Sequence, residues 1–168
     1  MGGNLLSWVP AYVGIGSNLG DSASRVRAAF EALHALPHTR LIARSRLYRT
    51  RPVGPVQQGD FINAVAGLLT QLAALEVLEA LRGIELAAGR VRTERSGPRT
   101  LDLDLLVFGA QRIESPDLTV PHPGVAARGF VLVPLHDIAP TLAVPGVGRV
   151  EVLLRGLMDT GIVEVLPA

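Results

Sequence analysis

Apolar residues recur at strand-like spacing in four stretches of the chain and at helix-like spacing in three. The strand-like stretches are residues 11–16, 39–48, 61–70 and 101–108. The first helical stretch runs from 22 to about 36, capped by Ser22 or Ser24 and ended by Pro37. The second covers 75–88, with Gly89 as its stop, and the third covers 150–158. Pro- and Gly-containing turns are predicted at 50–60, 121–124 and 145–148.

The first six elements follow the order β-α-β-β-α-β, which is the ferredoxin-like order. It predicts an α+β sandwich in which a mainly antiparallel sheet packs against helices. The length of 168 residues suits one domain, so we assign residues 1–168 to a single domain. The most apolar long stretch, 64–81, contains Thr70, Gln71, Glu76 and Glu79, which argues against a bilayer span. We expect a monomer in the cytoplasm that does not bind membranes.

Composition removes several classes of function. The chain has no Cys, which excludes disulfide scaffolds, thiol catalysis and zinc ribbons. It has no Lys either, because all 16 basic residues are Arg. A Schiff-base mechanism and a Walker-type lysine are therefore impossible. A net charge of +1 gives no reason to expect nucleic acid as a partner.

The predicted strand 101–108 carries two acids at alternate positions, Asp102 and Asp104. Side chains two apart on a strand share a face, while Leu101, Leu103 and Leu105 point to the other face and can enter the core. Asp is depleted in strands, so two Asp residues at alternate positions of one strand suggest a specific role. One such role is to form a site for Mg²⁺ or Mn²⁺, which prefer oxygen ligands, and the pair could bridge two ions. The alternative is a solvated face of an edge strand.

A loop rich in arginine immediately precedes this strand. Arg90, Arg92, Arg95 and Arg99 lie within ten residues that also contain Ser and Gly. Guanidinium groups suit phosphate oxygens, and carboxylate-bound metal beside arginines is typical of phosphoryl-type transfer. A solvated basic loop is the competing interpretation.

Two further clusters carry weaker signals. His122 lies in a turn between two prolines, with Arg128 six residues later, and could donate to a phosphate, although a lone His is more often a surface or capping residue. Phe61 and Asn63 follow a rigid turn and could hold a flat heterocycle by stacking and hydrogen bonding. A loop followed by a core strand would explain the same residues.

Four segments together resemble the 6-hydroxymethyl-7,8-dihydropterin pyrophosphokinases of folate biosynthesis. They are YVGIGSNLGD at 12–21, YRTRPVGPVQQGDFINA at 48–64, GRVRTERSGPRTLDLDLLVFG at 89–109 and VPHPGVAARGFVLVPLHDIAP at 120–140. They occur in the family's order and cover most of residues 12–140, whereas residues 1–9 lie outside the match and we interpret them as an extension.

The resemblance implies a ferredoxin-like enzyme that moves the β,γ-diphosphate of ATP, its co-substrate, to the pterin hydroxymethyl group with two Mg²⁺ ions. By position, Asp102 and Asp104 would bind the metal, and Arg90, Arg92 and Arg99 would be catalytic. The residues that would contact ATP are Glu85, Arg90, Arg92, Arg99, Leu105, His122 and Arg128. The residues that would contact the pterin are Thr50, Val53, Phe61, Asn63 and Phe130.

Two alternative functions fit the same element order. One is an RNA-binding module, but aromatic residues make up 4% of the chain and a strand with several aromatics is missing. The other is a non-catalytic ligand-sensing domain, which gives no reason for Asp102 and Asp104 beside four arginines.

Overall fold

A computed structural model describes residues 7–89 and 100–168 of the chain. Its larger strands are β1 (Val9–Ser17), β2 (Thr39–Arg44), β3 (Leu47–Thr50), β4 (Phe61–Thr70), β5 (Asp102–Phe108) and β10 (Ile162–Leu166). Two short hairpins are formed by β6 (Ile113–Glu114) with β7 (Thr119–Val120), and by β8 (Ala143–Val144) with β9 (Gly148–Arg149). The helices are α1 (Ser22–His34), α2 (Ala74–Ala87), α3 (Gly129–Ile138) and α4 (Val150–Arg155).

The six larger strands form one antiparallel sheet in the order β10-β3-β4-β1-β5, with β2 also paired to β4. The long central strand β4 pairs with β1 along one side and with β3 and then β2 along the other. This is the ferredoxin-like arrangement that the element order predicts, extended by β10 at one edge. The fold class is therefore confirmed.

Helices cover both faces of the sheet. On one face, Ala11, Val13 and Ile15 of β1 pack with residues of α1 and α2, such as Phe30 and Leu81, in one apolar core. On the other face, a second core gathers residues of α3 and α4 together with Val65 and Leu106 of the sheet. The β-α-β-β-α-β element order predicts the first helical layer, and the second layer completes a three-layer sandwich.

The predicted strand 39–48 is two strands in the structure, separated at Ser45 and Arg46. Ser45 is fully buried, and its backbone N–H donates to the Val65 carbonyl at 3.0 Å. Its hydroxyl accepts from the Val65 N–H at 2.8 Å and donates to the Arg46 carbonyl at 2.7 Å. A side chain that replaces ladder hydrogen bonds breaks the strand at this point, which apolar spacing alone does not predict.

Other element boundaries also differ from the prediction. Asp21, rather than Ser22 or Ser24, caps α1, because its carboxylate accepts the Ser24 N–H at 3.2 Å. The last helix ends at Arg155 instead of residue 158. Helix α3 and strand β10 were not predicted as elements, and α3 contains Pro134, a residue that usually ends a helix. Among the described residues, no helix is long and apolar enough to cross a membrane.

Candidate active site

The two acids of β5 open onto one cavity. Asp102 pairs across the sheet with Gly16 of β1, and Asp104 pairs with Gly14. Both aspartates line a cavity of about 220 Å³ on the α3 side of the sheet, whereas Leu103 between them is buried in the opposite core. The Ser17 hydroxyl donates to the Thr100 carbonyl at 2.5 Å and fixes the start of this strand beside Asp102.

Two glycines of β1 form the floor of the cavity. Gly14 and Gly16 alternate with buried Val13 and Ile15, so both lie on the cavity face. A Cβ on Gly16 would lie 2.7 Å from Asn63 Oδ1, closer than real Cβ atoms approach an oxygen. The missing side chains therefore leave a trough that runs from β4 to the aspartates of β5.

The β4 side of the trough carries an amide and an aromatic ring. Asn63 lies directly opposite Gly16, and Phe61 is two residues earlier on the same face. The Asn63 amide nitrogen donates to Thr50 Oγ1 at 2.7 Å, and both side chains are buried. The hydrogen bond fixes the Asn63 amide in one orientation at the edge of the cavity.

The remaining walls come from the start of α3 and from the connection between β3 and β4. Arg128 lies just before α3, and its guanidinium carbon is 5.7 Å from the centre of the Phe130 ring. The full set of lining residues is Gly14, Ile15, Gly16, Thr50, Arg51, Val53, Gly54, Phe61, Asn63, Ala64, Asp102, Asp104, Leu106, Arg128, Phe130 and Val131. The cavity thus has carboxylates at one end and aromatic and amide groups at the other.

His122 is fixed in the turn that follows β7. Its backbone N–H donates to the Leu106 carbonyl at 2.8 Å, and its Nδ1 accepts the Gly124 N–H at 3.0 Å. Because Nδ1 is an acceptor, the neutral ring carries its proton on Nε2. Burial, and then the positive charge of Arg128, lower the pKa of His122, while the Asp102 carboxylate acts in the opposite direction. Burial and the Arg128 charge therefore favour the neutral form of this ring.

Three residues that the resemblance assigned to ATP, Glu85, Leu105 and His122, do not line the cavity. The Leu105 side chain lies on the opposite face of β5, in the core beneath α1 and α2. Glu85 of α2 is buried, and its Oε2 accepts the Leu103 N–H at 3.0 Å, so it supports the backbone between the two aspartates. Leu106, which the sequence analysis did not single out, lines the cavity where Leu105 was expected.

The structure brings most of the other predicted site residues together. Those that share the cavity are Thr50, Val53, Phe61, Asn63, Asp102, Asp104, Arg128 and Phe130. Arg90, Arg92 and Arg99 lie outside the described residues. Gly14 and Gly16 in the floor of the cavity and Arg51 in its wall were not predicted as site residues. The signal was present as a glycine pair inside a strand, where glycine often marks the close approach of a ligand.

The oxygen donors of the carboxylate pair are of the kind that Mg²⁺ prefers. In residues 7–89 and 100–168, no group of three or more His, Asp or Glu side chains is placed to hold a metal ion. Mg²⁺ at phosphate-transfer sites is held by one or two carboxylates, with water and substrate phosphates as its other ligands. Asp102 and Asp104, on one face above a glycine floor, match that requirement.

Comparison with known proteins identifies the family. The family model described as 7,8-dihydro-6-hydroxymethylpterin-pyrophosphokinase matches residues 12–140. A 2-amino-4-hydroxy-6-hydroxymethyldihydropteridine pyrophosphokinase of Pseudomonas aeruginosa is 50% identical over 93% of this chain and 96% of its own length. The enzyme of that name from Haemophilus influenzae is 39% identical over 95% of this chain and 99% of its own length.

A solved structure supports the fold independently. The wild-type Plasmodium falciparum HPPK-DHPS with pteroate superposes with a TM-score of 0.69 over 88% of this chain at 14% identity. The chain spans 44% of the length of that protein, and at this identity the likeness concerns the fold alone. The family match and the two relatives establish that this chain belongs to the 7,8-dihydro-6-hydroxymethylpterin-pyrophosphokinase family.

Proposed function

We propose that this chain transfers the β,γ-diphosphate of ATP to the hydroxymethyl group of 6-hydroxymethyl-7,8-dihydropterin in folate biosynthesis. The products are the pterin diphosphate and AMP. Family membership supports the reaction. The observation that carries the assignment to this cavity is that the carboxylates and the aromatic-amide pocket are neighbours across Gly16.

The pterin end of the cavity suits a flat, polar heterocycle. Phe61 and Phe130 supply aromatic faces for stacking, and Val53 adds an apolar wall. The Asn63 amide, oriented by Thr50, can pair with the donor and acceptor edge of a ring. In this arrangement the hydroxymethyl arm of the pterin points along the trough towards β5.

The phosphate end of the cavity is matched to a triphosphate. Asp102 and Asp104 would hold Mg²⁺, and we propose two ions. Bound there, the metal would neutralise phosphate charge. Arg128 also lines the cavity, and the neutral His122 ring can donate from Nε2 to a phosphate oxygen. Arg90, Arg92 and Arg99 would neutralise the remaining negative charge of the triphosphate. Glu85 would act indirectly, by holding the β5 backbone between the two aspartates.

The bond changes follow from this placement. The pterin hydroxyl oxygen attacks the β-phosphorus in line with the bridging oxygen to the α-phosphorus. The bond between the β-phosphorus and that bridging oxygen breaks, so the oxygen and its electron pair leave with AMP and the hydroxyl proton is released. The side chains contribute position and charge, which account for most of the catalysis in phosphoryl-type transfer. The Leu106 and Val131 side chains help to limit water, which would compete with the hydroxyl.

The reaction is tested by following ATP in the presence and absence of the pterin. We expect AMP release that depends on both Mg²⁺ and hydroxymethyl-dihydropterin, together with a pterin diphosphate visible by phosphorus NMR. Release of ADP, or AMP release independent of the pterin, would contradict the proposal. A monomeric state and a cytoplasmic location stay predictions, to be checked by sedimentation and by cell fractionation.

A further inference from the structure

The segment 159–161 lies beyond the region that the family model matches, which ends at residue 140. It contacts one wall of the cavity through Arg51. The Arg51 N–H donates to the Gly161 carbonyl at 3.1 Å, and Arg51 Nη2 lies 2.7 Å from Asp159 Oδ2. Since Arg51 lines the cavity, both the backbone and the side chain of this wall are attached to the segment.

The same segment contacts a second wall at the start of α3. Gly129 is the first residue of α3, and a Cβ at this position would overlap the backbone of Thr160. The two backbones therefore pack as closely as a glycine permits. The neighbours of Gly129 on either side, Arg128 and Phe130, both line the cavity. One short segment thus meets two walls that are far apart in the sequence.

Internal hydrogen bonds and the adjoining strand give this segment a defined shape. Asp159 Oδ1 accepts the Gly161 N–H at 2.8 Å, while Oδ2 of the same carboxylate faces Arg51. Gly161 adopts a positive φ of 74°, and the chain then enters β10, where Ile162 pairs with Thr50. The carboxylate of Asp159 therefore joins the turn to the Arg51 wall.

We propose that the segment 159–161 is a positioning element that sets the spacing between the Arg51 wall and the start of α3, and thereby the fit of the pterin. The inference rests on the proposed function only in naming the pterin as the ligand between these walls. Weakening the contacts of this segment lowers the fraction of protein whose pocket has the correct width. The apparent Kd for the pterin then rises in inverse proportion to that fraction. ATP bound at the β5 end is unaffected by a change confined to the Arg51 wall.

The test compares two neighbouring Arg–carboxylate pairs. Asp159→Asn removes the charge that faces Arg51 but keeps an oxygen for the Gly161 N–H. The matched control is Glu164→Gln, which removes the partner of Arg49, 2.9 Å from Glu164 and outside the cavity lining. Both pairs are exposed, so we expect a modest effect: Asp159→Asn raises the KM and Kd for the pterin about two- to fivefold. The turnover number and the Kd for a nonhydrolysable ATP analogue stay unchanged, and Glu164→Gln alters neither affinity.

A second variant acts on the other contact. Gly129→Ala forces the Thr160 backbone away from α3, and we expect a larger increase in the Kd for the pterin than Asp159→Asn produces. Wild-type protein without pterin-dependent AMP release would overturn the proposed function and this inference together. An active wild type in which Asp159→Asn and Glu164→Gln have equal pterin affinity would overturn the positioning role alone, whatever the stability of Gly129→Ala.

Discussion

The packing at the floor of the cavity predicts that Gly16→Ala lowers both the stability of the protein and its affinity for the pterin. The new methyl group would lie 2.7 Å from Asn63 Oδ1, so the amide has to move. It is not free to do so, because Asn63 Nδ2 donates to the buried Thr50 hydroxyl at 2.7 Å. The substitution therefore separates the Asn63 amide from its support and also narrows the trough.

Three contributions set the expected magnitude. Losing the Asn63–Thr50 hydrogen bond costs about 1 kcal/mol, and forcing a methyl into a packed site costs about 1–3 kcal/mol. Replacing a strand glycine by alanine returns roughly 0.5–1 kcal/mol of chain entropy. The net loss in the free energy of unfolding is about 2 kcal/mol, which lowers Tm by about 4–8 °C for a domain of this size.

Calorimetric unfolding and pterin titration measure the two consequences. We expect the lower Tm together with a roughly tenfold weaker pterin affinity, about 1.4 kcal/mol, because the displaced amide no longer meets the ring. Gly14→Ala is the control for stability, since the three atoms nearest to its Cβ all belong to the Leu106 side chain, the nearest at 3.4 Å. If Gly16→Ala bound the pterin as tightly as wild type and unfolded like Gly14→Ala, the proposed role of the Asn63 amide would be wrong.

Three further predictions concern the aromatic wall and the attachment of α3. Phe61→Ala weakens pterin binding more than ATP binding in calorimetric titrations, and equal losses would contradict stacking. Tyr48→Phe removes the hydrogen bond from the Tyr48 hydroxyl to Asp137 Oδ2 at 2.6 Å, so urea unfolding should show a loss of about 2 kcal/mol. Burial alone would raise the pKa of Asp137, but hydrogen bonds from Arg46 and Tyr48 outweigh it and hold this pKa below its ordinary value. The ionised Asp137 therefore stabilises the fold above about pH 4, and this stabilisation is lost as the pH falls further. In Asp137→Asn the free energy of unfolding measured in urea should depend less on pH below about pH 5 than in wild type. The same pH dependence in both proteins would contradict this role of Asp137.

Much of the fold could be predicted from apolar spacing because its period differs between strands and helices. Strand β4 has the predicted bounds of 61–70, and α2 differs from its prediction by one residue at each end. Two features depended on tertiary contacts that spacing does not contain. Ser45 interrupts a strand through bonds to Val65, and α3 tolerates Pro134 within an apolar core against the sheet.

The candidate site divides in the same way. Side chains alternate between the two faces of a strand whatever the rest of the fold is. The sequence spacing of Asp102 and Asp104 was therefore enough to predict that they share a face of β5. The trough, by contrast, depends on which strands are neighbours in the sheet. Gly16 could not be predicted as a site residue because its pairing with Asn63 on one side and Asp102 on the other is set by the strand order. The role of residues 159–161 depends on contacts with Arg51 and Gly129, which are remote in sequence.

The central claim is that Asp102 and Asp104 hold the metal that accompanies the nucleotide. Mn²⁺ binding, measured by electron paramagnetic resonance with a nonhydrolysable ATP analogue present, tests it most directly when wild type is compared with Asp104→Asn. We predict that the variant keeps its fold, binds Mn²⁺ at least about tenfold more weakly, and releases no AMP above background. Wild-type Mn²⁺ affinity with near-normal diphosphate transfer in Asp104→Asn would contradict the account.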